Sequence, residues 1–212
     1  MDPILAFVSI VAAIAVGAAS PGPSFVLVAR TSIAVSRRAG LATALGMGIG
    51  GVCFASLALL GLHTLLSHVG WLYAALKLAG GAYLLYLAFR IWRGASEALV
   101  VDGDSRTAPA GSIARPLLFG LLTQLRNPKT ALVYGSIFAA LMPADPPFWL
   151  FASLPPAIFL IEAGWYAIVA AAFSAGSPRG AYLRSKHWID RAAAAAIGVL
   201  GARLVADAVP PP

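Results

Sequence analysis

Long apolar runs, each bounded by polar or charged residues, follow one another along the whole chain. A run of about 20 apolar residues is long enough to cross a bilayer as a helix, so each run predicts a transmembrane span. The predicted spans are residues 4–29, 39–62, 69–89, 116–142, 147–174 and 192–209. The pattern therefore predicts an all-α polytopic membrane protein with six transmembrane helices.

Composition agrees with this pattern. Apolar residues make up 60% of the chain and charged residues 11%, whereas soluble domains carry about 25% charged residues. The first run is preceded by no Lys or Arg and followed by no typical cleavage site. Since signal peptides have both features, we expect residues 4–29 to remain as the first span.

The basic residues predict the orientation. Cytoplasmic loops of membrane proteins are enriched in Lys and Arg, and here such residues lie in three of the five loops, while residues 63–68 and 143–146 have none. We therefore expect those three loops on the cytoplasmic side and both termini outside. Topology also explains the basic pI of about 10.1, so no nucleic-acid partner is expected. The loop residues are Arg30, Arg37 and Arg38, then Arg90, Arg93, Arg106 and Arg115, and then Arg179, Arg184, Lys186 and Arg191.

Two of the spans contain prolines that should break their helices. Pro21 and Pro23 flank Gly22 in the first span, and Pro128 lies inside the fourth; proline removes a backbone donor and clashes with the preceding turn. The stretch that starts at Pro23 resembles the one that starts at Pro128, about half a chain later. This predicts two inverted three-helix repeats, residues 1–89 and 116–212, joined by a cytoplasmic loop at 90–115. Interrupted helices at corresponding places indicate a transporter binding site, although a break can also serve packing alone.

Charged residues near the middle of the spans strengthen the binding interpretation. Arg126, Lys129 and Glu162 lie deep in the fourth and fifth spans, and Lys77 lies in the third. Each costs at least about 2.5–3.5 kcal/mol to insert, and such groups usually mark ion or substrate paths. Simpler roles remain open: Lys77 could reach the interface, Arg126 and Glu162 could form a structural ion pair, Lys129 could occupy the break, and Asn127 could cap the restarted helix.

Together these charges suit a zwitterion. The positive groups and the N-terminus of a helix restarting at Pro128 favour a carboxylate, and Glu162 favours an amino group or a proton. No metal or other cofactor is expected, because the spans contain no cluster of His, Cys or acidic residues, and Cys53 is the single cysteine. An enzyme would require a nucleophile and a base at one depth, which the spans do not offer. The small residues Gly46 and Gly50 form a GxxxG pattern, which favours close helix packing or a homodimer face.

The chain resembles the lysine-exporter (LysE/RhtB) family of bacterial amino-acid efflux proteins over essentially its full length. The resemblance rests on SPGPSFVLVARTSIAVSRRAGLATALGMGIG at residues 20–50, KLAGGAYLLYLAFRIWR at 77–93 and FGLLTQLRNPKTALVYGSIFAALMP at 119–143. It implies six spans and export of amino acids driven by the proton-motive force. It also implies a site at the two proline breaks, formed here by Pro21, Gly22, Pro23, Asn127, Pro128 and Lys129.

We therefore expect a multi-pass secondary transporter in the bacterial plasma (inner) membrane. Its substrate is expected to be an amino acid or a related small zwitterion, exported from the cytoplasm by proton antiport, with protons and membrane lipid as its other partners. Arg126 and Lys129 are expected to bind the carboxylate, and Glu162 to bind the amino group or carry the proton. Lys77 is a further candidate charge. An exporter of a metal or another inorganic ion is the alternative.

Overall fold

A computed structural model describes residues 2–66, 70–96, 113–143 and 145–208 of the chain, without the side chains of 62–66, 70–74, 76, 77, 176–179, 181, 183 and 207. These residues form helices and no strand, as the sequence predicted. Most of the predicted loop at 90–115 lies outside the described residues. The helices are α1 (Pro3–Ala19), α2 (Pro23–Ala34), α3 (Arg37–Leu66), α4 (Gly70–Gly94), α5 (Ala114–Leu125), α6 (Pro128–Leu141), α7 (Phe148–Phe173) and α8 (Gly176–Ala208).

Each predicted span corresponds to one helix or to a pair of helices. By length and hydropathy, the segments Arg37–Gly61 and Phe148–Phe173 are long and apolar enough to cross a membrane. The bent pair of α1 and α2 qualifies as a third span if it is taken as one segment. The arrangement of six spans as inverted repeats remains a prediction.

The predicted first span breaks at the expected place. Helix α1 ends at Ala19, Ser20 and Gly22 are extended, and α2 restarts with Pro23 in its first turn. Proline fits there because the first backbone amides of a helix have no internal acceptor. The axes of the two helices differ by 56°.

The predicted fourth span breaks in a similar way. Helix α5 ends at Leu125, and α6 restarts at Pro128 after an extended Asn127. The side chain of Asn127 caps α6, because its Oδ1 accepts a hydrogen bond from the Lys129 amide at 3.1 Å. The predicted N-cap is thus confirmed, and both restarted helices begin with proline.

The glycines of α3 permit close packing inside the chain. A Cβ added at Gly46 would collide with the backbone carbonyl of Leu117, and one added at Gly50 would lie 2.7 Å from the side chain of Gln124. Both contacts are with α5. The GxxxG pattern therefore faces another helix of the same chain, as the packing interpretation expected, and does not form a free face for a partner.

The remaining helices pack against the two broken pairs and against one another. Helix α3 also packs against α7, and α4 packs against α8, where a Cβ on Gly81 would lie 2.9 Å from the carbonyl of Gly201. Large apolar side chains such as Leu57, Leu160 and Ile168 are exposed on the outside. Such a surface is suited to contact with lipid, because exposing a large apolar surface to water is unfavourable in free energy.

Candidate functional site

The two helix breaks lie against each other. The Lys129 ammonium donates a hydrogen bond to the Ser20 carbonyl at 3.0 Å, and the Asn127 side-chain amide donates to Ser24 Oγ at 3.0 Å. A Cβ placed on Gly22 would lie 3.6 Å from Lys129 Nζ. A lysine from the second break thus satisfies a carbonyl that the first break leaves free, which removes the cost of an unpaired buried carbonyl.

A chain of buried hydrogen bonds leads from this junction to Glu162. Ser24 Oγ donates to Gln124 Oε1 at 2.6 Å, and Gln124 Nε2 donates to Glu162 Oε2 at 3.2 Å. The Tyr134 hydroxyl donates to Glu162 Oε1 at 2.9 Å. Glu162 is 3% exposed, so these two bonds replace the water that its carboxyl group loses.

The junction and Glu162 line one small cavity, here called the central cavity. Its volume is about 20 Å³, which is room for about one water molecule. A basic and an acidic side chain therefore lie beside the same small cavity. The polar residues of its lining are Ser20, Ser24, Asn127, Lys129, Thr130, Tyr134, Glu162 and Tyr166.

A second cavity adjoins the same junction. It has a volume of about 500 Å³ and shares Ser20, Gly22, Asn127 and Lys129 with the central cavity. Sites for small molecules usually measure about 300–1,000 Å³, so the second cavity is large enough for an amino acid and the central cavity is not. Its other lining residues are Pro21, Pro23, Tyr83, Tyr86, Leu87, Arg90, Ile91, Gly94, Pro128, Lys186 and Asp190.

The second cavity contains a buried ion pair. Lys186 Nζ lies 2.7 Å from Asp190 Oδ2 and 3.3 Å from the carbonyl of Gly94, the last residue of α4. Both side chains are buried, although the sequence placed them in a polar cytoplasmic loop. They are buried because α8 begins at Gly176, well before the predicted sixth span, and packs on α4.

Most of the predicted site residues come together. Pro21, Gly22, Pro23, Asn127, Pro128 and Lys129 line the second cavity, and Glu162 lines the central cavity.

Arg126 does not join them. It is the exposed residue after α5 and lies outside both linings. The structural ion pair of Arg126 with Glu162, which the sequence left open, is not formed: the carboxyl oxygens of Glu162 accept from Gln124 and Tyr134. Lys77 belongs to α4, but its side chain lies outside the described residues.

Sequence reasoning missed several residues of the site. Ser24, Gln124, Tyr134 and Tyr166 line or connect the cavities but carry no charge, so they were not singled out. A search for uncharged polar residues inside apolar runs would have found them, and Glu162 and Tyr166 are also spaced to share one helix face. Within the described part of the chain, no group of three or more His, Cys, Asp or Glu side chains could hold a metal ion.

Known proteins are similar to this chain over most of its length. The family model described as LysE type translocator matches residues 15–208. The threonine efflux protein of Escherichia coli (strain K12) is 31% identical over 186 residues, which cover 88% of this chain and 90% of that protein. The threonine efflux protein of Salmonella typhi is 32% identical over 190 residues, with 88% and 90% covered.

An uncharacterized membrane protein of Escherichia coli (strain K12) is 32% identical over 210 residues, which cover 99% of this chain and 93% of that protein. No solved structure matches the chain. The family model spans nearly the whole sequence, including both helix breaks and Glu162, and confirms the resemblance found in the sequence. The chain belongs to the LysE type translocator family.

Proposed function

We propose that this protein is a secondary transporter of the bacterial inner membrane that exports an amino acid or a related small zwitterion by proton antiport. Membership of the translocator family and the similarity to threonine efflux proteins support the substrate class. The observation that carries the proposal is the meeting of two broken helices around Lys129, with the carboxyl group of Glu162 beside the same cavity.

The substrate carboxylate binds at the junction of the breaks. Lys129 supplies a positive charge there, and the N-terminus of α6 directs its partial positive charge to the same place. The hydroxyl of Ser20 is buried at this junction without a hydrogen-bond partner among the described residues, so it is free to bind the substrate. The two helix breaks leave backbone groups without helical hydrogen bonds at this place. They are formed by Pro21, Gly22, Pro23 and Pro128. Arg126 has no part in this site, because it is exposed and lies outside both cavities.

Glu162 carries the proton. A carboxyl group that is 3% exposed is ionised only at a large cost in free energy unless a positively charged partner compensates, and a bound proton removes that cost. Substrate and proton therefore compete for it: a protonated Glu162 favours release of a cationic amino group, and an ionised one favours its binding. The hydrogen bonds from Tyr134 and Gln124 hold the carboxyl group towards the central cavity.

Alternating access follows from the two halves of the chain. Six spans form two inverted three-helix repeats, with both termini outside, and the repeats rock about the breaks before Pro23 and Pro128. The central cavity holds only about one water while the second cavity has room for a substrate. Arg90, Lys186 and Asp190 line the second cavity and come from segments predicted to be cytoplasmic, which supports entry of the substrate from that side.

Counterflow in proteoliposomes tests the proposal. Liposomes containing the purified protein are loaded with one unlabelled amino acid from a panel, L-threonine first, and exchange of the labelled form is measured with and without a pH gradient. We expect gradient-dependent exchange of one or a few amino acids. Exchange at the same rate with and without the gradient would overturn proton antiport but not the substrate class. If protein that elutes as a single folded species exchanges no amino acid of the panel, the substrate class is overturned and an inorganic ion is favoured.

A further inference from the structure

The packing of α8 on α4 does not account for both oxygens of Asp190 in the buried ion pair with Lys186. Asp190 is 4% exposed, and its Oδ2 is paired with Lys186 at 2.7 Å. Its Oδ1 is buried without a hydrogen-bond partner among the described residues. Buried carboxylate oxygens are nearly always hydrogen-bonded, so this oxygen lacks a donor that a ligand could supply.

A purely structural role accounts for Lys186 but not for all of Asp190. The ammonium of Lys186 binds both the Asp190 carboxylate and the carbonyl of Gly94 at the end of α4, and a lysine at that position stabilises a helix C-terminus. These bonds hold α8 against α4 and involve Oδ2 of Asp190. Oδ1 takes no part in this contact between the two helices.

The surroundings of Asp190 are suited to a zwitterion. Asp190 lines the second cavity, whose volume is about 500 Å³, together with Lys129 and Asn127 from the start of α6. The positive N-terminus of α6 and the Lys129 ammonium attract a carboxylate to one part of this cavity. Among the described residues that line this cavity, Asp190 is the only acidic one, and the basic residues Arg90, Lys129 and Lys186 accompany it.

We propose that Asp190 receives the ammonium group of the substrate in the second cavity while Lys129 binds its carboxylate. This inference rests on the proposed export of a zwitterion and defines a first binding site that is separate from Glu162. The unpaired Oδ1 accepts from the substrate ammonium, and Oδ2 keeps its bond to Lys186. Asp190 thereby selects compounds that carry an amino group, and Glu162 acts at a later step in the central cavity.

The test compares two competitors of labelled L-threonine exchange: unlabelled L-threonine and β-hydroxybutyrate, which is threonine without its amino group. In the wild type, we expect threonine to compete at least about tenfold better, because a site built for a polar group rejects an analogue that lacks it. Asp190→Asn should reduce this preference at least about tenfold while leaving competition by β-hydroxybutyrate unchanged, and Asp190→Glu should restore part of it. Asp145→Asn, which changes an exposed carboxylate outside both cavities, should behave as the wild type.

The ratio of competition by threonine to competition by β-hydroxybutyrate distinguishes a binding role of Asp190 from a structural one. A variant in which α8 packs less tightly exchanges more slowly, but its ratio does not change. Should Asp190→Asn fail to fold with Lys186 left unpaired, the double variant Lys186→Gln with Asp190→Asn removes both charges together and should lose the preference in the same way. An unchanged ratio in a transporting Asp190 variant would overturn this inference alone. A wild type that exchanges no amino acid would overturn the proposed function, and this inference with it.

Discussion

Replacing Glu162 by glutamine removes the proposed proton carrier while keeping the shape of the side chain. Glu162 accepts one hydrogen bond from Tyr134 at 2.9 Å and one from Gln124 at 3.2 Å. The new amide has one acceptor and one donor, so it can accept from Tyr134 but must donate towards Gln124. Gln124 can turn its own amide over, because Ser24, its other partner, has a hydroxyl that both donates and accepts. The network therefore reverses its direction and keeps Tyr134 and Gln124 paired, while the Ser24 hydroxyl, which already accepts from Asn127, accepts a second bond and gives up its own acceptor.

The magnitudes predict a small effect on stability. Each hydrogen bond weakens by about 1 kcal/mol when its acceptor loses the charge, so two bonds cost about 2 kcal/mol. The removal of a buried charge returns several kcal/mol of desolvation free energy. Glu162→Gln should therefore be no more than about 2 kcal/mol less stable than the wild type. Glu162→Ala removes the same charge but leaves two buried donors without an acceptor at about 1–3 kcal/mol each, so it should be about 2–6 kcal/mol less stable than Glu162→Gln.

Two measurements check this reasoning. Thermal unfolding in detergent should rank Glu162→Gln near the wild type and Glu162→Ala well below it. In proteoliposomes, export driven by a pH gradient should fall to the level of protein-free liposomes in Glu162→Gln. Gradient-driven export at the wild-type rate would refute the proton-carrying role, and equal destabilisation by both substitutions would refute the hydrogen-bond argument.

Two further predictions concern the packing of α3 and the charge at the second break. Gly46→Ala should lower stability by about 1–3 kcal/mol, since its Cβ collides with the Leu117 carbonyl; Gly61→Ala, in the same helix with nothing within 4 Å, should cause no loss. Equal thermal unfolding of the two variants would contradict the close packing. Lys129→Gln should raise the KM for exchange at least about tenfold, because losing a buried charge contact costs about 2 kcal/mol or more, whereas Arg126→Gln, which is exposed, should change it less than about twofold. A larger effect at Arg126 would place the carboxylate outside the second cavity.

Local features of the structure were readable from the sequence. The breaks at Pro21–Pro23 and before Pro128 occur where proline excludes a continuous helix, and Asn127 caps α6 as its residue type predicts. These rules act within one helical turn, so they need no knowledge of the rest of the chain. The same holds for the apolar runs that became helices.

The contacts of the site could not be read in this way. Glu162 meets Gln124 and Tyr134 across separations of 38 and 28 residues, and Lys129 meets the Ser20 carbonyl across 109. The sequence showed that these groups lie at some depth in apolar helices, but it did not show which faces turn towards each other. Arg126 illustrates the limit: it lies three residues before Lys129 in the same apolar run, yet it is exposed.

The sequence by itself determined the helical class, the two breaks and the family, because these depend on residue type and order within short stretches. Only the tertiary structure decided that the breaks join through Lys129, that Arg126 stays outside, and that Lys186 and Asp190 are buried beside the second cavity. The physical reason is that burial and pairing depend on how whole helices pack. Small residues such as Gly46 set that packing at distant points of the chain, and the side chains of the site take their partners from it.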